Sequence, residues 1–265
     1  MAELVYPPVI VAAKAMFALA GLRFTVTGSE KFPARGGAVV AINHTGHLDF
    51  TFAGIPAHDH DRLIRFMAKD AIFKNPVAGP LMRGMKHIPV DREAGSASYR
   101  AALAALKAGE LVGVFPEATI SRSYEIKEFK TGAARMAAAA GVPIIPMALW
   151  GSQRVLTYGR RRPVSLATIP VYIAVGDPVA VSRQDDAAEV TARVREQMVA
   201  LLDGIQAVYP DRPSSPEDAW WLPARLGGSA PTPEEAAVIE ERVRAERAAK
   251  RAAKRAAEGP QPDQA

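Results

Sequence analysis

The sequence contains no cysteine among its 265 residues. This excludes a disulfide scaffold, a thiolate zinc site, a CxxC redox pair and a cysteine nucleophile, and it points to a reducing compartment. Aromatic residues make up only 7% of the chain, and no zinc-finger, RRM or helix-turn-helix signature is present, so no nucleic-acid partner is expected. Long apolar runs are also missing. The best one, Val9 to Leu22, is 14 residues long and is interrupted by Lys14, whereas a membrane span needs about 20. Only Glu3 precedes it where a secretory signal would carry basic residues, so no signal peptide is expected. No internal repeat recurs at a fixed period.

What is there is enough for a core. Hydrophobic residues amount to 49%, which excludes a wholly disordered chain. The length suits one large domain, or one domain with an appendage. The net charge of +5 is uneven. Residues 61–162 hold 17 Lys/Arg against 8 Asp/Glu, an excess of +9, so the rest of the chain sums to −4. A basic middle in a compact domain points to an anionic partner such as phosphate groups or an acidic lipid surface. Arg160-Arg161-Arg162 reads as a solvated loop or as a contact for lipid headgroups.

Strand and helix signals alternate. Short apolar runs predict strands at 38–42, 63–67, 111–115, 143–150 and 171–175. The run at 143–150 has prolines at its start and middle, which places it near an edge or at a bulge. Helices are expected at 99–108, 131–140 and 185–208. The fold class is therefore α/β, with a largely parallel central sheet flanked by helices. An N-terminal helix over about 8–22 follows Pro7-Pro8 and is apolar on most sides. It packs into the core or lies on a membrane surface. The main domain is expected over 1–228, with a charged helix and tail over 229–265. Thr232-Pro233-Glu234-Glu235 is a capping box with proline at the first helical position. Acids lead this helix and bases end it, which complements its dipole. It is either simply solvated or a polybasic contact for anionic lipid.

In such a domain chemistry sits at the carboxyl ends of strands. Two segments there are unusual: Asn43-His44-Thr45-Gly46-His47-Leu48-Asp49 and Phe115-Pro116-Glu117-Ala118-Thr119. A neutral imidazole is the natural general base near pH 7, and it needs a carboxylate to fix its tautomer. On a continuous helix His44 and Asp49 would lie about 140° apart, at roughly 3.6 residues per turn, and would not share a face. With His44 in the turn after a strand and Asp49 in the first turn of the next helix, the carboxylate can reach back. His47 is a competing partner by position.

Four blocks occur in order: Asn43-His44-x4-Asp49, Gly84 to Arg92 (GMKHIPVDR), Phe115 to Thr119 (FPEAT) and Val142 to Pro146 (VPIIP). Together with the stretch from Lys69 to Gly84, they resemble the glycerolipid acyltransferase family, typified by 1-acyl-glycerol-3-phosphate acyltransferases. The resemblance covers about residues 30–150. It implies that His44 deprotonates a lyso-lipid hydroxyl, which attacks an acyl-CoA or acyl-carrier-protein thioester, and that Asp49 orients His44. It implies phosphate binding by Arg92 and Lys69, and ordering of the acceptor and loop by Glu117 with help from Thr119. No metal or bound cofactor is implied, the thioester being a co-substrate. The setting it implies is an anionic membrane surface, peripherally on the cytoplasmic face. The family's third block usually reads Glu-Gly-Thr-Arg-Ser. Here Ile120 stands at the arginine, and Arg122, Lys127 and Lys130 are the nearby cations. Family members often carry a longer N-terminal membrane helix pair, where this chain has one short helix.

Two rival classes remain at this point. A metal-dependent hydrolase would draw on His44, His47, Asp49 and the run His58-Asp59-His60-Asp61. A non-catalytic membrane-surface protein would use only the basic middle and the C-terminal helix.

Overall fold

The computed structural model describes residues 3–91, 95–161 and 168–258. Helix α1 (Tyr6–Leu19) leads into strand β1 (Leu22–Thr27), then β2 (Ala38–Ile42), α2 (Asp49–His58), β3 (Ile64–Lys69), α3 (Asp70–Phe73), α4 (Ala78–Gly84) and β4 (Ile88–Val90). There follow α5 (Gly95–Lys107), β5 (Leu111–Val114), α6 (Gly132–Ala140), β6 (Ile144–Trp150), a small hairpin β7 (Leu156–Thr157) and β8 (Arg160–Arg161), β9 (Ile169–Val175), α7 (Ala187–Ala207) and α8 (Pro233–Glu258). Seven strands form one sheet in the order β1-β9-β6-β2-β5-β3-β4. Every pairing in it is parallel except β6 with β9. The α/β class expected from the alternating pattern is the one observed.

The central strands explain why their sequences read as unbroken apolar runs. Every residue of β2, β5 and β6 is buried, as befits parallel strands covered on both faces. Val40, Ile42, Ile64, Phe66, Leu111, Ile145 and Met147 sit in one apolar cluster with Phe17 of α1 and Phe52 of α2. On α7, Val190, Val194, Met198, Leu202 and Ile205 are buried at helical spacing. Its N-cap Asp186 accepts from the amides of Ala188 and Glu189 at 2.8 and 3.0 Å, satisfying two first-turn donors.

Three expectations need correcting. Strand β6 is not at an edge; it lies between β2 and β9. Pro146 is tolerated there because the β9 ladder starts one residue later, at Met147 opposite Val175. Its carbonyl still accepts the amide of Gly176 at 2.8 Å, and a Cβ on Gly176 would lie 2.8 Å from the proline ring. The first helix ends at Leu19 rather than about 22, because Gly21 turns the chain at φ +68°. The next residues form β1, in which the more buried Leu22, Phe24 and Val26 alternate with the exposed Arg23, Thr25 and Thr27. Helix α1 starts at Tyr6, with Pro7 and Pro8 in its first turn, where amides have no intrahelical acceptor. Finally, α2, α3, α4 and β4 are elements that the periodicity did not announce.

Two compact units divide the chain: residues 1–121 with 126–212, and residues 122–125 with 213–265. In the second unit Trp221 and Ala230 are buried, and Arg225 pairs with Glu125 at 3.3 Å. The capping box forms there, with the Glu235 amide donating to Thr232 Oγ1 and the Thr232 amide donating to Glu235 Oε2. Among the described residues no helix is long and apolar enough to cross a membrane.

Candidate active site

The parallel strands β2, β5, β3 and β4 all end at one edge of the sheet. Chain leaving β2 returns at β3, while chain leaving its neighbour β5 returns at β6, on the other side. Adjacent strands whose connections part in this way open a crevice at their carboxyl ends. His44 and Glu117 lie in the two loops that flank it.

Strand β2 ends at Ile42, and Asn43 anchors the chain as it leaves. Its side chain donates to the Leu149 carbonyl at 3.1 Å and accepts the Leu149 amide at 2.7 Å. His44 then sits in the turn, and Asp49 is the first residue of α2. Asp49 Oδ2 accepts three N–H groups: His44 Nδ1 at 2.8 Å, the Thr45 amide at 2.7 Å and the Gly46 amide at 2.9 Å. The turn thus folds around the carboxylate. Thr45 is held in turn by Ser152 Oγ at 3.0 Å and by the Thr157 hydroxyl, which donates to its carbonyl at 2.9 Å. A Cβ on Gly46 would press on the carbonyls of Ser152 and Leu156 at 3.0 and 3.1 Å. Asp49 is fully buried, and its Oδ1 has no partner among the described residues.

With Nδ1 committed to an acceptor-only carboxylate, Nε2 of His44 carries the lone pair. The imidazole is 20% exposed and stacks on Phe115 at 4.2 Å between centroids. This is the base-and-orienter arrangement of general-base catalysis. His47 is not the partner of Asp49. Its amide donates to the Leu156 carbonyl, and its ring lies against Tyr158; burial, followed by the neighbouring His44, lowers its pKa.

Glu117 joins the two loops. Its Oε1 accepts the His44 amide at 2.8 Å and its Oε2 accepts the Lys127 amide at 3.2 Å. The Ser121 amide adds a bond to the His44 carbonyl at 2.7 Å. Burial pushes the Glu117 carboxyl up to about 7, against the two amides, which lower it. Ala118 adopts φ +62° to make the turn. Lys127 Nζ donates to Thr119 Oγ1, so a cation stands beside the threonine.

The remaining candidates are spread along the same edge or lie elsewhere. Lys69 is the exposed last residue of β3. Lys130 is exposed, and its amide donates to the Pro116 carbonyl at 3.0 Å. Ile120 is buried at 3% exposure, so the position of the family arginine is closed and apolar. Arg122 belongs to the segment grouped with the second unit. Arg92 lies outside the described residues. Sequence reasoning gave no role to Asn43, Thr45, Phe115, Ser152 or Thr157. The bidentate Asn43 clamp has no local pattern, since its partner is 106 residues away.

The histidines of the metal reading point in separate directions. His58 Nδ1 lies 3.4 Å from Lys14 Nζ, and His60 Nε2 lies 3.2 Å from Ser29 Oγ. His87 accepts the Phe66 amide at 3.0 Å between the rings of Tyr6 and Phe66. Among the described residues no three His, Asp or Glu side chains gather as a ligand set.

A family model described as Acyltransferase matches residues 23–150. The chain is similar to the 1-acyl-sn-glycerol-3-phosphate acyltransferase of Bacillus subtilis, 35% identical over 127 residues, which are 48% of this chain and 62% of the relative. It is similar to the protein of that name from Borreliella burgdorferi, 27% identical over 71% of this chain and 75% of the relative. A chloroplastic Arabidopsis thaliana relative of that name is matched over only 38% of its length, at 29% identity. The crystal structure of the 1-acyl-sn-glycerophosphate acyltransferase PlsC from Thermotoga maritima shares the fold, with a TM-score of 0.63 at 24% identity over 77% of this chain and 80% of that one.

Proposed function

Residues 23–150 belong to the acyltransferase family, and from that premise we propose that this chain transfers an acyl group from a thioester to the hydroxyl of a lysophosphatidate-like acceptor. The observation that carries the reading is the buried Asp49 carboxylate on His44 Nδ1, at the crevice edge of the sheet.

The proposed route is general-base attack. Nε2 of His44 takes the proton of the acceptor hydroxyl as its oxygen bonds to the thioester carbonyl. The tetrahedral intermediate collapses, the C–S bond breaks, and the imidazolium returns the proton to the leaving thiolate. The buried Asp49 carboxylate supplies the negative charge that stabilises the imidazolium formed on the way. Glu117 ties the His44 main chain to the loop that carries Thr119 and Lys127. We assign the acceptor's phosphate to Lys127 beside Thr119 and Lys69 at the end of β3, together with Arg92 on the ground of the sequence resemblance alone. The route draws on no metal or bound cofactor. The donor is acyl-CoA or acyl-carrier protein.

A water-soluble donor and a bilayer acceptor meet at a membrane surface, so we place the protein there, peripherally, on the cytoplasmic face. Leu4, Val11, Met16 and Leu19, in and beside α1, expose 81, 68, 52 and 89% of their surface. Such apolar exposure is suited to the headgroup–acyl boundary of a bilayer, and the basic excess of residues 61–162 to an anionic one.

The test is transfer of labelled acyl groups from CoA and carrier-protein thioesters in mixed micelles. The acceptors are lysophosphatidate, glycerol 3-phosphate, another lysophospholipid and a neutral glycolipid. Product with lysophosphatidate supports the reading. Product with a different acceptor alone keeps the chemistry and moves the substrate, which the buried Ile120 would explain. No product with any pair overturns it.

A further inference from the structure

We propose that Arg195 of α7 is a positioning residue for this site, although it lies 45 residues beyond the end of the matched family segment and touches neither His44 nor Asp49. The kinetic part of the inference rests on the acyltransfer reading; the structural part does not.

The chain of contacts is short. Arg195 Nε donates to the Lys127 carbonyl at 3.0 Å, and its Nη2 donates to the Ile126 carbonyl at 3.2 Å. The guanidinium therefore spans two successive carbonyls of one loop. The Lys127 amide, one peptide away, donates to Glu117 Oε2, and Lys127 Nζ donates to Thr119 Oγ1. Glu117 Oε1 then accepts the amide of His44. Three hydrogen-bonded links thus run from α7 to the main chain of the proposed base, with Thr119 on a side branch.

The guanidinium also lies 3.8 Å from Glu128 Oε1, an ion pair with an exposed carboxylate that contributes little in water. Glu128, Phe129 and Thr131 face Thr191, Arg195 and Val199 across an open groove of about 430 Å³. Beside that groove the two guanidinium bonds fasten residues 126 and 127 to α7. The helix itself is rigidly seated by Val190, Val194 and Met198, each at most 2% exposed. Arg195 transmits that rigidity to the Glu117 clamp. A planar, forked donor suits a pair of adjacent carbonyls better than a single ammonium does.

The test uses the full chain with Arg195→Met and Arg195→Lys, and with Arg193→Met as a control on an exposed site of the same helix. Amide hydrogen exchange is followed in residues 117–121 and 126–130, beside acyl transfer to lysophosphatidate. In Arg195→Met we expect exchange in both segments to accelerate about tenfold, as for a lost charged hydrogen bond. We expect KM for lysophosphatidate to rise by a similar factor. Arg195→Lys should recover part of each effect, and Arg193→Met should change neither. If acceleration stops at 126–130, or KM stays unchanged in a folded, active Arg195→Met protein, the inference is overturned. Should the methionine variant fail to fold, the lysine variant carries the same test, with an intermediate effect required in both segments. Exchange that spreads into 117–121 in a protein showing no transfer at all keeps the positioning role and sinks the acyltransfer reading instead.

Discussion

Glu117 accepts the backbone amide of His44 at 2.8 Å, so a side chain after β5 holds the main chain of a residue after β2. The carboxylate is 5% exposed and both its oxygens are taken by amides. It is a brace between two loops that meet at the crevice. Replacement by glutamine keeps the shape but turns an NH2 group toward one of the two amides. We expect Glu117→Gln to fold and to lose about 10- to 100-fold in kcat/KM, the scale of a hydrogen bond to a charged group. Steady-state kinetics beside circular dichroism checks this.

Two buried groups set opposing pH dependences of stability. Burial raises Glu117 from 4.5 to about 7, so its contribution favours the fold below pH 4.5 and is lost as pH rises through 7. Burial and the Arg65 charge lower His87 from 6.5 to about 4, so its contribution is present above pH 6.5 and is lost as pH falls through 4. Each is worth about 3 kcal/mol at full extent. Between pH 4.5 and 6.5 the two slopes oppose and largely cancel. Urea unfolding across that window should show stability falling with pH in His87→Gln and rising with pH in Glu117→Gln.

Ala118 bends at φ +62° and its side chain is exposed. An L-residue in this left-handed region costs about 1 kcal/mol, which glycine avoids at some entropic cost in the unfolded chain. Ala118→Gly should therefore stabilise by about 0.5 kcal/mol, read as a higher urea midpoint at unchanged slope. The turn that lifts Glu117 off β5 is retained, so activity should be unaltered.

Lys127 brings a cation to Thr119, while the Ile120 side chain is closed off inside. Lys127→Met should raise KM about tenfold for a phosphorylated acceptor and leave kcat within a few-fold, the pattern of lost uniform binding. An equal effect on a neutral acceptor, measured in the same micelles, would remove the phosphate role.

The legible parts of the molecule were those with local signals. Unbroken apolar runs marked β2, β5 and β6, and Thr232 with Glu235 marked the start of α8. The His44–Asp49 spacing made sense only with a turn followed by a helix start, and that is the geometry found. The proline rule misled at β6, because it cannot see that the β9 ladder begins one residue past Pro146, at Met147 opposite Val175. Helix α2 carries Pro56 and a mixed pattern with no clean apolar stripe, so its sequence does not announce it. Long-range braces left no local trace: Asn43 with Leu149, Glu117 with His44, and Arg195 with the 126–127 carbonyls each join residues dozens of positions apart.

Proton removal by His44 is open to a single comparison. Acyl transfer to the best acceptor is measured for the native chain and for His44→Ala at equal folded concentration, verified by thermal unfolding. If His44 is the base, kcat falls by about 10²- to 10⁴-fold, the usual contribution of a general base, with an unfolding midpoint close to that of the native chain. A folded His44→Ala protein that keeps kcat within a few-fold of native would contradict that role.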